Sequence, residues 1–276
     1  FEILSNSIDE ARDGHGKLIT LTSYLDHSVE VEDQGRGCPV DWNEREGRWN
    51  WELVFCELYA GGKYDSSEGG GLGSCATQYA SAYMDVTVWR DGFEHRLHFE
   101  RGEITGEKGK ELVKTPLSRK RTGTRHRWLP DLEVFTDIAI PPAFFLDVMK
   151  RQAVVNAGIT FRLKIETSPG KFETTEFLYE NGIADYVREL AGDAPLTDVE
   201  FWETERRGRD RADKDEYKVR LSVSCCFSNK TAVIEHYHNS SWLEHGGSPE
   251  RAARTINTRR GSRRSPGRTL RTAWCW

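Results

Sequence analysis

Glu2, Asn6 and Asp9 are spaced four and three residues apart, so on a helix turning about 100° per residue they fall within roughly 60° of one another. Leu4, Ile8 and Ala11 take the opposite side. Such a face is either the solvated side of an amphipathic helix or a site. As a site, the Asn amide oxygen meets a metal ion while a carboxylate one turn away polarises a water. Asp33-Gln34-Gly35-Arg36-Gly37 is either an Asp-capped turn or a loop that brings backbone close to a flat ligand, with the Asp carboxylate accepting from an exocyclic amine. Gly69-Gly70-Gly71-Leu72-Gly73, ahead of a helical stretch, is either a flexible linker or a phosphate cradle of unpaired backbone N–H groups. It lacks the Lys-Ser/Thr ending of a P-loop. Thr122-Gly123-Thr124 opens a strand and by itself says little.

The elements that must hold these residues follow from periodicity. Residues 1–13 predict a helix, and LITLTSYL and SVEVED predict strands. Residues 49–60 return to helical spacing, ended by Gly61-Gly62, and residues 75–83 have small-residue helical character after a helix start near Ser74. MDVTVWRDGFEHRLHFERG alternates around Asp91-Gly92, a hairpin turn pair. Residues 108–121 are polar and basic and predict a surface loop, while TRHRWL and ITFRLKIE predict strands flanking a helix at about 142–156. That order points to an α+β fold, a two-layer sandwich and not a doubly wound sheet. A second unit begins near Phe177: GIADYVREL is helix-like, and VEFWETERR and YKVRLSVSCCFS alternate. The expected organisation is 1–176, 177–253 and a compositionally distinct 254–276. The chain opens on Phe inside a helical pattern and reads as a fragment whose start is missing.

Composition bounds the function. The 276 residues are 37% hydrophobic and 30% charged, with mean hydropathy -0.66, which suits a soluble globular protein. No run approaches the roughly 18 apolar residues of a membrane span, and FEILSNSIDE has no signal-peptide pattern, so a cytoplasmic location without membrane contact is expected. Residues 251–276 hold eight Arg and no acid, which leaves residues 1–250 at -13 against -5 overall. An acidic body argues against a broad nucleic-acid face there. The six cysteines form no C-x-x-C pair and read as reduced thiols. His95 and His98 fall on opposite strand faces, and His236 and His238 lack a third ligand, so metal binding by histidine is not expected.

Taken in order, Glu-x-x-x-Asn-x-x-Asp, Asp-x-Gly-x-Gly, a glycine-rich lid before a helix, and Gly-Thr resemble the GHKL (Bergerat) ATPase fold. That fold is shared by gyrases, heat-shock ninety chaperones, MutL-type repair proteins and sensor histidine kinases. Asn6-Ser-Ile-Asp-Glu-Ala11, Asp33-Gln-Gly-Arg-Gly-Cys-Pro39 and Ala60-Gly-Gly-Lys63 resemble the ATPase subunit of bacterial type IIA topoisomerases, gyrase B or its topoisomerase IV counterpart. Arg121-Thr-Gly-Thr124 and Asn239-Ser-Ser-Trp-Leu-Glu-His-Gly-Gly247 do so too, and the resemblance runs over about 1–253. A MutL-type protein is disfavoured by Ala-Gly-Gly-Lys and the 239–247 run.

The resemblance implies ATP and Mg²⁺ as cofactors, and a first domain followed by a truncated transducer of the ribosomal-S5-domain-2-like type. It makes Glu2 the general base, Asn6 the Mg²⁺-holding residue, and Asp33 the acceptor of the adenine amine supported by Thr124. Glu10 and Arg36 match an ion pair beneath the nucleotide, and Gly35 and Gly37, on either side of Arg36, belong to the ATP-binding loop. Lys63 approaches the phosphates; Gly70, Gly71, Leu72 and Gly73 supply lid backbone; Arg96 matches an arginine at the pocket rim. Implied partners are DNA, a second copy of the ATPase subunit and a DNA-cleaving A-type subunit. Two departures stand out: only ten residues separate Lys63 from Gly73, a shortened lid, and the family's N-terminal arm is missing. These leave a competing expectation of a folded remnant that acts only as an interaction module. After Ala253 the family pattern stops at TINTRRGSRRSPGRTLRTAWCW, which reads as a shifted frame, a disordered basic tail or a DNA contact.

Overall fold

The computed structural model describes residues 1–57, 72–193, 195–209, 211, 213, 216–229, 232–251 and 273–275. Two units divide the chain: residues 1–150 with 159–177, and residues 151–158 with 178–276. The second unit thus takes a short piece from the middle of the chain, which no change of composition along the sequence marks.

In the first unit, α1 (Glu2–Arg12) buries Ile3, Leu4, Ser7 and Ile8. β1 (Leu18–Ser23) and β2 (Val29–Glu32) form a hairpin closed by Asp26, whose Oδ1 accepts from the Ser28 N–H and hydroxyl. A short ribbon, β3 (Trp42–Asn43) and β4 (Arg48–Trp49), holds Trp42 edge-on to Trp49 and leads into α2 (Asn50–Cys56). Then come α3 (Leu72–Tyr79), β5 (Ser81–Arg90), β6 (Phe93–Glu100), β7 (Glu103–Ile104), β8 (Val113–Pro116) and β9 (Gly123–Pro130). α4 (Pro142–Val155), β10 (Thr160–Ser168) and β11 (Lys171–Phe177) follow. The strands make one sheet in the order β11-β10-β1-β2-β9-β5-β6-β7, with β8 also on β6. β1 and β10 run parallel, and every other pair in the sheet is antiparallel.

Side chains alternate across the sheet, so one face is apolar and the other charged. Leu21, Val31, Val86, Leu97 and Phe99 are buried on the face that packs against α1 and α3. On the other face the register sets Glu30, Arg127, Asp85 and His98 in one row and Glu32, Arg125, Thr87 and Arg96 in the next. This is the expected two-layer sandwich. Three local expectations change. The helix before β5 spans 72–79 instead of 75–83, because Ser81 already pairs with β9. The stretch 108–121 contains β8, an edge strand exposed along its whole length. β11 extends the sheet beyond β10.

In the second unit, α5 (Ile183–Ala191) buries Ile183, Val187 and Ala191, four residues apart, and packs on β13 (Tyr217–Cys225). β13 pairs with β12 (Glu200–Gly208) along its length. β14 (Tyr237–His238) pairs with β15 (Ser241–Trp242), and buried Tyr237 donates its hydroxyl to Glu235 at 2.8 Å. Of the basic segment, Ala273–Cys275 forms β16 and adds to β13; residues 252–272 lie outside the described residues. Among the described residues no helix is long and apolar enough to cross a membrane.

Candidate functional site

Asp33 follows β2 and its side chain is 5% exposed, so its charge needs donors from the protein or a ligand. Four protein groups supply them. Oδ1 accepts from the backbone N–H of Gly35 at 2.8 Å and of Thr124 at 3.1 Å. Oδ2 accepts from the Ser7 hydroxyl at 2.8 Å and the Thr124 hydroxyl at 2.5 Å. An ionised carboxylate offers about four lone-pair sites, and all four are filled. The Ser7 hydroxyl also has the Ile3 carbonyl oxygen at 3.4 Å, so it is the donor with somewhere else to turn when an amine arrives. Gly123 makes the approach of β9 possible: its φ is +134°, and a Cβ there would fall on the carbonyl oxygen of Asp33. Ser7 was not singled out by sequence, although a small polar residue one turn above Ile3 on the buried side of α1 is the signal that finds it.

The other end of α1 meets the start of α3. The Asn6 amide nitrogen donates to the Ser74 hydroxyl at 3.1 Å, which leaves its Oδ1 as the atom turned to other use. Gly73 lies against Glu2 so closely that any Cβ would overlap the Glu2 side chain. Glu2 is exposed and accepts no hydrogen bond from a described residue. Leu72 is the first residue of α3, whose opening N–H groups have no intrahelical partner. Lys63, Gly70 and Gly71 lie outside the described residues.

Glu10 ties α1 to the loop after Asp33. Its Oε2 accepts from the Arg36 N–H at 3.0 Å and Nε at 3.2 Å, and its Oε1 from Nη2 at 2.8 Å. Burial works to raise its pKa, and the Arg36 hydrogen bonds more than offset that, holding the carboxyl below its ordinary range. The Gly37 carbonyl oxygen accepts from Arg90 Nη1 at 2.7 Å. Cys38 follows directly, its thiol pushed up to about 12 by burial and by the charge of Asp33, which keeps it protonated and inert.

Arg96, which the resemblance sets at the pocket rim, is not among the residues brought together here. Its neighbours His95 and Leu97 are buried on the helix side of β6, so alternation sends Arg96 to the charged face of the sheet. There its side chain is 63% exposed, pairs with Glu94 at 2.5 Å, and borders a groove of about 400 Å³ with Arg125 and Arg127. The arginine that the structure brings to the Asp-x-Gly-x-Gly loop is Arg90, at the end of β5.

The donor set can be tested against a nucleotide. A buried carboxylate with an exchangeable hydroxyl partner suits an amine-bearing base. A helix start lined by Gly73, Ser74 and Asn6 suits phosphate. Among the described residues no group of three His, Cys, Asp or Glu side chains is placed to hold a metal ion; Asn6 Oδ1 is an oxygen of the kind that could serve as one ligand to Mg²⁺.

The antiparallel-rich sheet with α1 and α3 on one face, and a buried Asp under a glycine loop, is the arrangement expected of a Bergerat-type domain. No protein-family model matches the chain. It is 32% identical over 276 residues to the mitochondrial DNA gyrase B of Arabidopsis thaliana, covering 94% of this chain and 36% of the relative. To the DNA gyrase B of Thermotoga maritima it is 31% identical over 273 residues, covering 94% and 40%. To the B-type subunit of DNA topoisomerase 4 from Salmonella typhimurium it is 33% identical over 200 residues, covering 70% and 31%. The crystal structure of the 43K ATPase domain of Thermus thermophilus gyrase B, in complex with an aminocoumarin, superposes with a TM-score of 0.71. It is 24% identical, and the match covers 99% of this chain and 73% of that one. The chain belongs to the gyrase B and topoisomerase IV B family of type IIA topoisomerase ATPase subunits, and spans about a third of the length of these relatives.

Proposed function

We propose that the first unit binds and hydrolyses ATP and that, in the longer protein of which relatives are examples, this turnover drives DNA strand passage. The observation that carries the reading is Asp33, a buried carboxylate fully satisfied by Ser7, Gly35 and Thr124, next to the helix α1 whose Asn6 and Glu2 meet the start of α3. The adenine amine donates to Asp33 as the Ser7 hydroxyl turns to Ile3. Thr124 keeps its two bonds and fixes the carboxylate. Glu10 with Arg36, and Arg90 with Gly37, brace the loop beneath the nucleotide. Asn6 Oδ1 would hold Mg²⁺, which would supply charge neutralisation at the phosphates. Glu2 takes a proton from the attacking water as its oxygen bonds to the γ-phosphorus and the bond to the bridging oxygen breaks, releasing ADP and phosphate.

Lys63 and the backbone of 70–73 are the proposed phosphate contacts from the lid. The second unit is read as the start of the transducer, passing nucleotide state on to a homodimer, an A-type subunit and DNA. Two variants test the reading. Asp33→Asn is expected to weaken binding of a labelled ATP analogue by about 10- to 100-fold, the worth of a charged hydrogen bond. Glu2→Ala is expected to keep that binding and lower steady-state ATPase by at least about 100-fold. Equal affinities for wild type and Asp33→Asn would remove the site assignment. Equal turnover for wild type and Glu2→Ala would leave a module that binds without hydrolysing.

A further inference from the structure

His126 is a buried polar group on the wall beside Asp33 that the proposed reaction does not use. It lies on β9 two residues after Thr124, hence on the same, helix-facing side of the sheet. The register places it opposite Val31 on β2 and Val86 on β5, both buried and apolar. Its ring packs against Phe55, centroids 5.8 Å apart, and the residue is 7% exposed. Neither Nδ1 nor Nε2 has a hydrogen-bond partner among the described residues. A third valine would fill this position at no such cost. A buried imidazole with both nitrogens unpaired is destabilising unless something else claims one of them.

The position says what that is. Asp33 is the charged group that His126 feels most, yet every acceptor site on Asp33 is already filled by Ser7, Gly35 and Thr124, so the imidazole N–H gains nothing there. In adenine the exocyclic amine is flanked by ring N1 and, across C5, by N7, so a base whose amine reaches Asp33 brings a ring nitrogen near that carboxylate. Burial depresses the imidazole pKa to about 4, with the Asp33 charge opposing, so at neutral pH the ring carries one N–H donor and no charge.

We propose that His126 is a specificity-determining residue of the nucleotide pocket, donating its ring N–H to a ring nitrogen of the base whose exocyclic amine is accepted by Asp33. This rests on the ATP-site reading above. The pocket then reads the base at two points, and purines that lack the matched ring nitrogen leave the imidazole unpaired again, which a site of this kind rejects.

The test is a cycle between protein and ligand. Affinities of ATP and of its 1-deaza, 3-deaza and 7-deaza analogues are measured for the wild type, His126→Leu, His126→Gln and Asp33→Asn. One analogue is expected to bind the wild type about tenfold more weakly than ATP, the worth of one net hydrogen bond, while His126→Leu binds ATP and that analogue alike. His126→Gln, which restores an amide N–H, is expected to recover part of the discrimination. Because Leu at a packed site can disturb folding, the ¹⁵N resonances of the wild-type His126 ring provide a second reading. They are expected to shift with ATP and not with the discriminated analogue. Equal analogue-to-ATP ratios in wild type and His126→Leu, with Asp33→Asn still weakening all four ligands, would overturn the role of His126 alone. Wild-type affinities for ATP that Asp33→Asn leaves unchanged would overturn the site and this inference with it.

Discussion

His126 also governs how the fold responds to acid, independent of any ligand. Its ring titrates near 6.5 in an unfolded chain and at about 4 in the fold, because burial disfavours the imidazolium more than the charge of Asp33 favours it. Between those values the unfolded state binds a proton that the native state refuses. The stability contributed by the neutral ring is therefore complete above about pH 6.5 and is lost as pH falls towards 4. The loss amounts to roughly 2 to 3 kcal/mol by pH 4.5, at 1.36 kcal/mol per unit. Replacement by leucine removes this linkage, and comparison with the variant cancels the carboxylates that titrate in the same range. Urea unfolding of wild type and His126→Leu at pH 7.5 and pH 4.5 measures it. The variant is expected to lose less stability than the wild type by about that amount, and parallel losses would show that the buried ring takes up its proton as easily in the fold as outside it.

At the scale of elements, the site is an agreement between α1, the loop after β2 and the beginnings of β9 and α3. The Glu10–Arg36 contact is the strut between the first two. Its three hydrogen bonds include one from the Arg36 backbone, so it sets the path of the loop as well as its charge. Glu10 is held below its ordinary pKa of 4.5, burial raising it and the Arg36 hydrogen bonds lowering it further than burial raises it. That stability is present above about pH 4.5 and fades as pH drops through the lowered value. With both side chains about one-third exposed, Arg36→Ala is expected to cost roughly 1 to 2 kcal/mol at pH 7 and less at pH 3. Thermal or urea melts at the two pH values check it, and ATP affinity is expected to fall alongside because Gly35 presents its N–H to Asp33 from the same loop.

Much of this scale was legible beforehand. The Glu2-Asn6-Asp9 spacing, the Asp33 loop and the Asp91-Gly92 hairpin each rest on local chemistry or on a period that one segment displays by itself. β8 was not legible, since an edge strand exposed on both faces shows no alternation. Arg96 came from the resemblance alone, which says nothing about the face a strand residue takes, whereas buried His95 and Leu97 set it on the charged face of the sheet. Ser7 and His126 stayed hidden for another reason: spacing can mark Ser7 as a polar residue on a buried face, but the role of each lies in partners far along the chain, or in the want of them.

For the whole molecule the uneven distribution of charge carries a consequence that no single site does. Residues 1–250 sum to -13, while residues 251–276 hold eight arginines and no acid. On the open sheet face the cations are interleaved with acids: Arg127 lies between Glu30 and Asp85, and Arg125 beside Glu32. Such a checkerboard gives little net field for a phosphate backbone, and the body as a whole repels one. Any affinity of this chain for DNA is therefore expected to come from the basic segment and to be electrostatic. Releasing counterions from at most eight phosphates gives a slope of log affinity on log salt no steeper than about -7, and binding that disappears near physiological ionic strength. Anisotropy of a labelled duplex, titrated from low salt upwards with residues 1–276 and with residues 1–250, tests this. The shorter chain is expected to show no binding even at low salt while its ATP affinity stays unchanged, since Glu2, Asn6, Asp33, Thr124 and His126 all belong to the first unit. Equal DNA binding by the two chains would place the contact on the body instead. The groove lined by Arg96, Arg125 and Arg127 would then be the surface to mutate, because it gathers three guanidinium groups in one concavity despite the acids around them.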